Sequence, residues 1–259
     1  MRLRYVAVSA AAVAVLGLAA GCTDGGTPTA RGSVHGSAQP SRSARTTDDG
    51  GGSDRPTAVQ RAYHTTTDAK TAKVSMTGTI TGGSAAGSTT MRGVVRFSPP
   101  AERLTIDVAG RKVEAVLVDG YQYVRVGSSW HTVDVSELTD GAVQDPTRIL
   151  GYLQGVSSSV HRTGTRTIRG VRATGYRATI DVRQAAATRH GKAAEALRRL
   201  ARQGTATIPV RVWLDPTGRV VREHSTVTTR VQGRPVTVDN TIDLYDYGTP
   251  VHITRPAGA

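Results

Sequence analysis

The feature that most limits how this chain can fold is an alternation of apolar and polar residues with a period of two, broken again and again by turn signals. Val74, Met76, Gly78 and Ile80 share one side of a first run, and Met91, Gly93, Val95 and Phe97 repeat the pattern after "GGSAAGS". Leu104, Ile106 and Val108 follow, then Val113, Ala115 and Leu117. In the second half come Tyr176, Ala178, Ile180 and Val182, then Ile208, Val210, Val212 and Leu214. Val221, Val227 and Val231 continue, and Val236, Val238, Ile242 and Leu244 close the series. A period of two is that of a strand with one face buried and one wet. The connections are hairpin-sized: Asp119-Gly120 suits a two-residue turn, and Asp215-Pro216-Thr217-Gly218 places proline and glycine where a tight turn wants them. Hairpins make neighbours antiparallel, so about ten or eleven antiparallel strands are expected, and a sheet this wide tends to curl.

Three segments break the alternation. Residues 56–72 begin with Pro56, which fits a first helical turn, and carry Ala58, Ala62, Thr65 and Ala69 on one side. In "DPTRILGYLQGV", Asp145 is a cap, Pro146 a first-turn residue, Ile149, Leu150 and Leu153 an apolar stripe and Gly155 an end. Residues 184–203 form the strongest helical pattern, with Ala193, Ala196, Leu197, Leu200 and Ala201 as its stripe. Apolar stripes need cover, and the hollow of a curled sheet supplies it. The expected class is α+β: a strongly curved antiparallel sheet, a half-barrel, with helices over its concave face.

The first 55 residues read differently. Arg2 and Arg4 precede an apolar stretch, Tyr5 to Leu18, too short for a comfortable membrane span. The chain's one cysteine follows in Leu18-Ala19-Ala20-Gly21-Cys22, and a lone thiol closes no internal disulfide. The pentapeptide resembles the bacterial lipobox, although Ala19 stands where leucine is commonest. That resemblance implies a signal peptide over 1–21 and diacylglycerol on Cys22. Acyl chains on Cys22 would hold the protein at the outer face of the cell membrane. Residues 22–55 are rich in Gly, Ser, Thr and Pro with Val34 the only large aliphatic residue, the composition of a tether. Such a tether averages about 30 Å end to end and stretches to roughly 110 Å. Residues 56–259 are left as one substantial domain.

The chain carries a net +13, with 33 basic and 20 acidic residues. Six of the basic and four of the acidic residues precede Pro56, so the domain holds 27 against 16, a net +11. A basic excess suits anionic headgroups or acidic wall polymers, and equally a solvated surface from Arg-rich coding. An exported protein has no nucleic-acid partner to meet. Catalytic patterns are missing: there is no Gly-x-Ser-x-Gly elbow, no His-Glu-x-x-His and no phosphate-binding glycine loop. The seven histidines (His35, His64, His131, His161, His190, His224 and His252) show no metal spacing. Asp107, Asp181, Asp239 and Asp243 fall on polar strand faces, where solvation accounts for them. No enzyme activity, metal or cofactor is expected.

The N-terminal helix, "VDGYQYVRVGSSWHTVD", "DPTRILGYL", "TRTIRGVRATGYRATID" and "VRVWLDPTGRVVRE" occur in this order. Together they resemble the LolA/LolB-like superfamily of lipoprotein carriers, and within it the actinobacterial LppX/LprG/LprA group, over about residues 56–248. The resemblance implies an apolar cavity between sheet and helices that takes an acylated lipid or glycolipid. The partners it implies are that lipid and an export or transporter protein, with the carrier a monomer.

The candidate cavity residues are Leu104, Ile106, Val108, Val113, Ala115, Leu117, Ile180, Val182, Val210, Val212 and Leu214. They either line a cavity or form a solid core against the helices. Arg198, Arg199 and Arg202 are the candidate headgroup contacts, and Tyr121, Tyr123, Trp130 and Trp213 are candidates for the rim or for cross-strand packing. With a solid core, the alternative is a sensor that binds a partner protein or a wall polymer.

Overall fold

The alternating segments form eleven strands: β1 (Thr71–Thr81), β2 (Gly87–Arg96), β3 (Ala101–Val108), β4 (Arg111–Val118), β5 (Tyr121–Val126), β6 (Ser129–Asp134), β7 (His161–Ile168), β8 (Val171–Asp181), β9 (Thr207–Leu214), β10 (Val220–Val231) and β11 (Arg234–Tyr245). This is a computed structural model in which residues 57–82, 86–134, 150–156, 159–187, 191–231 and 233–259 are described. The expectations for 1–55, Cys22 among them, lie outside those residues.

All eleven strands join one open sheet in the order β6-β5-β4-β3-β2-β1-β11-β10-β9-β8-β7. The chain walks outward from β1 to one edge, restarts at the other edge with β7, and returns to the middle. First and last strands therefore pair at the centre, with Met76 opposite Ile242. Ala109-Gly110, Asp119-Gly120 and Arg169-Gly170 each have positive φ at both residues, as two-residue turns between right-twisted strands require. On β2, a Cβ built on Gly93 would lie 2.0 Å from the Arg103 carbonyl oxygen. Only glycine lets β2 and β3 approach so closely.

Even-numbered residues of β1, β3, β8, β9 and β11 point to one side and build the main core. The β10 strand enters with a bulge between Val220 and Arg222. Val220 and Val227 therefore face this core, while Val221, expected beside Val227, turns to the opposite face.

Helices cover the inner face. Helix α1 (Ala58–Thr67) starts with a reciprocal cap: Gln60 N donates to Thr57 Oγ1 at 3.2 Å and Thr57 N to Gln60 Oε1 at 2.7 Å. It is shorter than the expected 56–72, because Lys70 turns left-handed (φ 71°) and β1 claims Thr71 onward. Val220 N donates to the buried Thr66 Oγ1 at 3.0 Å, tying α1 to the sheet. Of the "DPTRILGYLQGV" helix, Leu150 and Gly151 are helical and a 3-10 turn runs over Tyr152–Gly155. Asp145, Pro146 and Ile149 lie outside the described residues. Leu150 and Leu153 are buried in the core, and a Cβ on Gly155 would sit 2.7 Å from that of Ala185.

The expected single helix over 184–203 is two: α2 (Val182–Ala187) and α3 (Gly191–Arg202). Asp181 Oδ1 accepts from Gln184 N at 2.8 Å, so the helix begins early and takes Val182 out of β8. The division has a geometric reason. In one unbroken helix Ala185 and Leu197 would point roughly 120° apart, yet both are buried in the same core.

The outer face is covered at two places. The tail after Tyr247 crosses β3–β5, where Ile253 packs with Ala101, Val116, Val118 and Tyr123. Burial on both faces makes the second half of β4 continuous rather than alternating. A smaller cluster of Ile168, Ala173 and Val221, with Trp213 against it, lies under β7–β10.

Candidate functional site: the inner face and its basic groove

Of the eleven candidate cavity residues, eight belong to the main core: Leu104, Ile106, Ala115, Ile180, Val182, Val210, Val212 and Leu214. Val108 packs on its margin. Leu117 is buried and Val113 half-buried on the same face as Ala115, toward the β6 edge. Alternation thus places these residues on the inner face, with Val182 reaching the core from a helix instead of a strand. The four aromatics do not rim this face. Tyr123 and Trp130 pack with the C-terminal tail on the outside, Tyr121 is exposed, and Trp213 joins the outer cluster.

Helices α2 and α3 pack against each other and leave a groove of about 410 Å³ between them. Its apolar wall is Ala186, Ala187 and Ala201, and its rim is Arg183, Arg198 and Arg202. Two of the three candidate headgroup arginines are therefore brought together. The third, Arg199, turns away toward Glu195, 3.9 Å distant. Arg183 takes its place, from α2. The sequence pattern hides this residue, because a single helix over 184–203 leaves Arg183 at the end of a strand.

A second feature lies on the inner face itself. Glu223 and Ser225 of β10 and Asn240 of β11 occupy core-facing positions and are buried, Glu223 being 2% and Asn240 1% exposed. Ser225 and Asn240 are direct cross-strand partners. Among the described residues, Glu223 Oε2 and both polar atoms of the Asn240 amide find no hydrogen-bond partner. Burial pushes the Glu223 carboxyl up to about 8; a hydrogen bond from Ser225 works against this, and the charge of Asp239 adds to it. The signal is visible in the sequence: position 240 interrupts Val236, Val238, Ile242, Leu244 with an asparagine.

The opposite face of the same strands is charged and paired. Asp243 accepts from Arg222 Nε at 2.5 Å and Nη2 at 2.7 Å, and from Arg169 Nε at 3.0 Å. Arg169 lies 4.1 Å over the Tyr245 ring. Asp215, expected only as a turn residue, accepts from Thr217, from the Arg219 backbone and from Arg219 Nε. Burial opposes its ionisation, and these bonds outweigh burial and hold its carboxyl below the usual range. Among the described residues no group of three or more His, Cys, Asp and Glu is placed to hold a metal ion. No helix among them is long and apolar enough to cross a membrane.

An open, curved antiparallel sheet with helices over one face defines this chain as LolA-like in fold. Among solved structures it is similar to the Mycobacterium tuberculosis lipoprotein LppX, at a TM-score of 0.50 and 18% identity over 76% of this chain and 98% of that one. It is similar also to LprF from Mycobacterium bovis, at 0.51 and 17% over 77% and 97%. The expected LppX-type architecture is thereby established as a fold. No protein-family model matches the sequence, and no curated protein is similar to it.

Proposed function

We propose that this protein is a lipoprotein, anchored through acyl chains on Cys22 to the outer face of the cell membrane, that binds an acylated lipid or glycolipid between its sheet and helices. It carries or presents that lipid and performs no covalent chemistry on it. The observation that carries this reading is the groove between α2 and α3, where an apolar wall meets three guanidinium groups above an aliphatic core. An acyl chain gains about 0.8 kcal/mol for each methylene taken from water, so burying a dozen carbons in the protein offsets what the same chain loses on leaving a bilayer. Arg183, Arg198 and Arg202 would meet an anionic headgroup at the mouth.

The test is native mass spectrometry of the exported full chain carrying Cys22→Ala, with solvent extraction of the same sample. The expected result is a bound lipid mass that extraction removes, and exchange with phosphatidylglycerol vesicles. Changing the three rim arginines together to glutamine should weaken uptake from phosphatidylglycerol about tenfold and leave uptake from phosphatidylcholine nearly unchanged. A clean protein mass that gains nothing from either vesicle sinks the proposal.

One observation favours a second reading in that event. The edge strand β7 is exposed on both faces over His161–Thr167, carries Arg162 and Arg166, and among the described residues pairs only with β8. A free basic edge suits an extended acidic partner, and such binding should fall with added salt.

A further inference from the structure

The geometry points to a polar subsite in the interior, formed by Glu223, Ser225 and Asn240, that recognises an uncharged hydroxyl group on the buried part of the ligand. The inference rests on the lipid-binding reading and names what kind of lipid the protein prefers. Three observations converge. First, the three side chains share one face: Ser225 stands two residues from Glu223 on β10 and directly opposite Asn240 on β11. Second, they lie inside an otherwise aliphatic surface, with Val212 and Ile242 beside Glu223 and Val210 beside Ser225. Third, their hydrogen-bonding capacity is unmet, at Glu223 Oε2 and at both atoms of the Asn240 amide. Buried polar groups in folded proteins are nearly always satisfied, and the aliphatic neighbours on this face cannot do it.

The chemistry of the unmet atoms selects the ligand. Asn240 Nδ2 must donate and Asn240 Oδ1 must accept. A ligand ester only accepts, and a carboxylate only accepts; a hydroxyl does both. Burial keeps the Glu223 carboxyl protonated at neutral pH, so it too presents a donor and an acceptor and repels no uncharged oxygen. Gly78 stands opposite Asn240 on β1, so the direct cross-strand neighbour on that side contributes no side chain. The row Asn240, Ser225, Val210, Ala178 runs across four strands from the sheet centre toward the helices. It spans roughly 14 Å at the usual strand spacing. An acyl chain entering at the arginine groove would therefore meet the subsite along its length, not at its head.

The experiment compares octadecanoic acid with octadecanoic acids hydroxylated at mid-chain, as ligands of the full chain carrying Cys22→Ala, by native mass spectrometry and competition. The expected result is a preference of about tenfold or more for one hydroxylated isomer, since a site built to bond a hydroxyl rejects the analogue that lacks it. Asn240→Leu, checked for folding by circular dichroism, should bring the plain and hydroxylated acids to equal binding. Glu223→Gln, uncharged and still able to donate and accept, should keep the preference to within about threefold. Equal binding of plain and hydroxylated acids by the unaltered protein overturns the inference and leaves the lipid-binding reading standing. So does a preference that Asn240→Leu does not change. If no acid binds at all, the lipid-binding reading falls and the subsite with it.

Discussion

Strands β10 and β11 present two faces with opposite treatment of polar groups. On the outer face Asp243 holds two arginines, and Asp239 accepts from Thr226 Oγ1 at 2.8 Å and lies 3.0 Å from His224 Nε2. On the inner face, one residue along the same strands, Glu223 and Asn240 leave hydrogen-bonding atoms unmet in an aliphatic surround. The difference is not one of strand quality, since the two faces share one backbone and one register. It is one of role. Outer-face groups hold the strands together, whereas the unmet inner-face groups cost stability.

The largest effect that separates the faces is pH dependence. The Glu223 carboxyl titrates near 4.5 when unfolded and near 8 when folded. The unfolded chain therefore releases its proton first as pH rises. Its contribution to stability is full below about 4.5, is lost between 4.5 and 8, and changes no further above. The total loss is up to about 5 kcal/mol, because every pH unit separating the two titrations is worth ~1.4 kcal/mol. Urea unfolding at pH 5 and pH 8 should show the unaltered protein markedly weaker at the higher pH, and Glu223→Gln nearly level. Equal slopes in the two proteins would mean that the carboxyl is not held neutral by the fold.

The outer face gives a smaller effect of opposite origin. Asp243 is half-surrounded by arginine, and its side chain is 8% exposed. Burial raises its carboxyl's affinity for a proton, but the bonds and charges of Arg222 and Arg169 overcome this and lower it. Replacing it by alanine leaves two guanidinium groups without their carboxylate, and should cost about 3 kcal/mol in urea unfolding at pH 7. Because the Asp243 carboxyl is depressed, its contribution is present above the usual carboxylate range and lost only as pH falls below it. The pH 5 to 8 slope of Asp243→Ala should therefore match that of the unaltered protein.

How much of this is legible in the sequence follows from which interactions are local. The sheet is legible, because alternation and two-residue turns such as Asp119-Gly120 are set by neighbours in the chain. The inner face is legible for the same reason. The helices are less so: Val182 and Ala185 face the core only because Asp181 caps α2 and a second axis begins near Gly191, and no periodicity count contains that break. The outer aromatics escape a sequence reading because their partner is the tail around Ile253, far away in the chain. The Asp243 cluster depends on Arg169, 74 residues distant. Asn240 is the instructive case, a visible exception in an apolar run whose meaning needs its cross-strand neighbour Ser225.

The smallest effect is the one that couples the faces. The Asp239 side chain is 48% exposed, so its bonds to Thr226 and His224 are largely solvated, and Asp239→Asn should change stability at pH 7 by less than about 1 kcal/mol. Its charge nevertheless acts through the sheet on Glu223, raising the carboxyl's hold on its proton. Removing that charge makes Glu223 easier to ionise in the folded state. The pH at which the stability curve levels should therefore move down in Asp239→Asn, with its acidic limit unchanged. Urea unfolding across pH 4 to 9 reads both quantities in one series. A curve that levels at the same pH would show that the two faces are electrically independent, and that burial alone sets the state of Glu223.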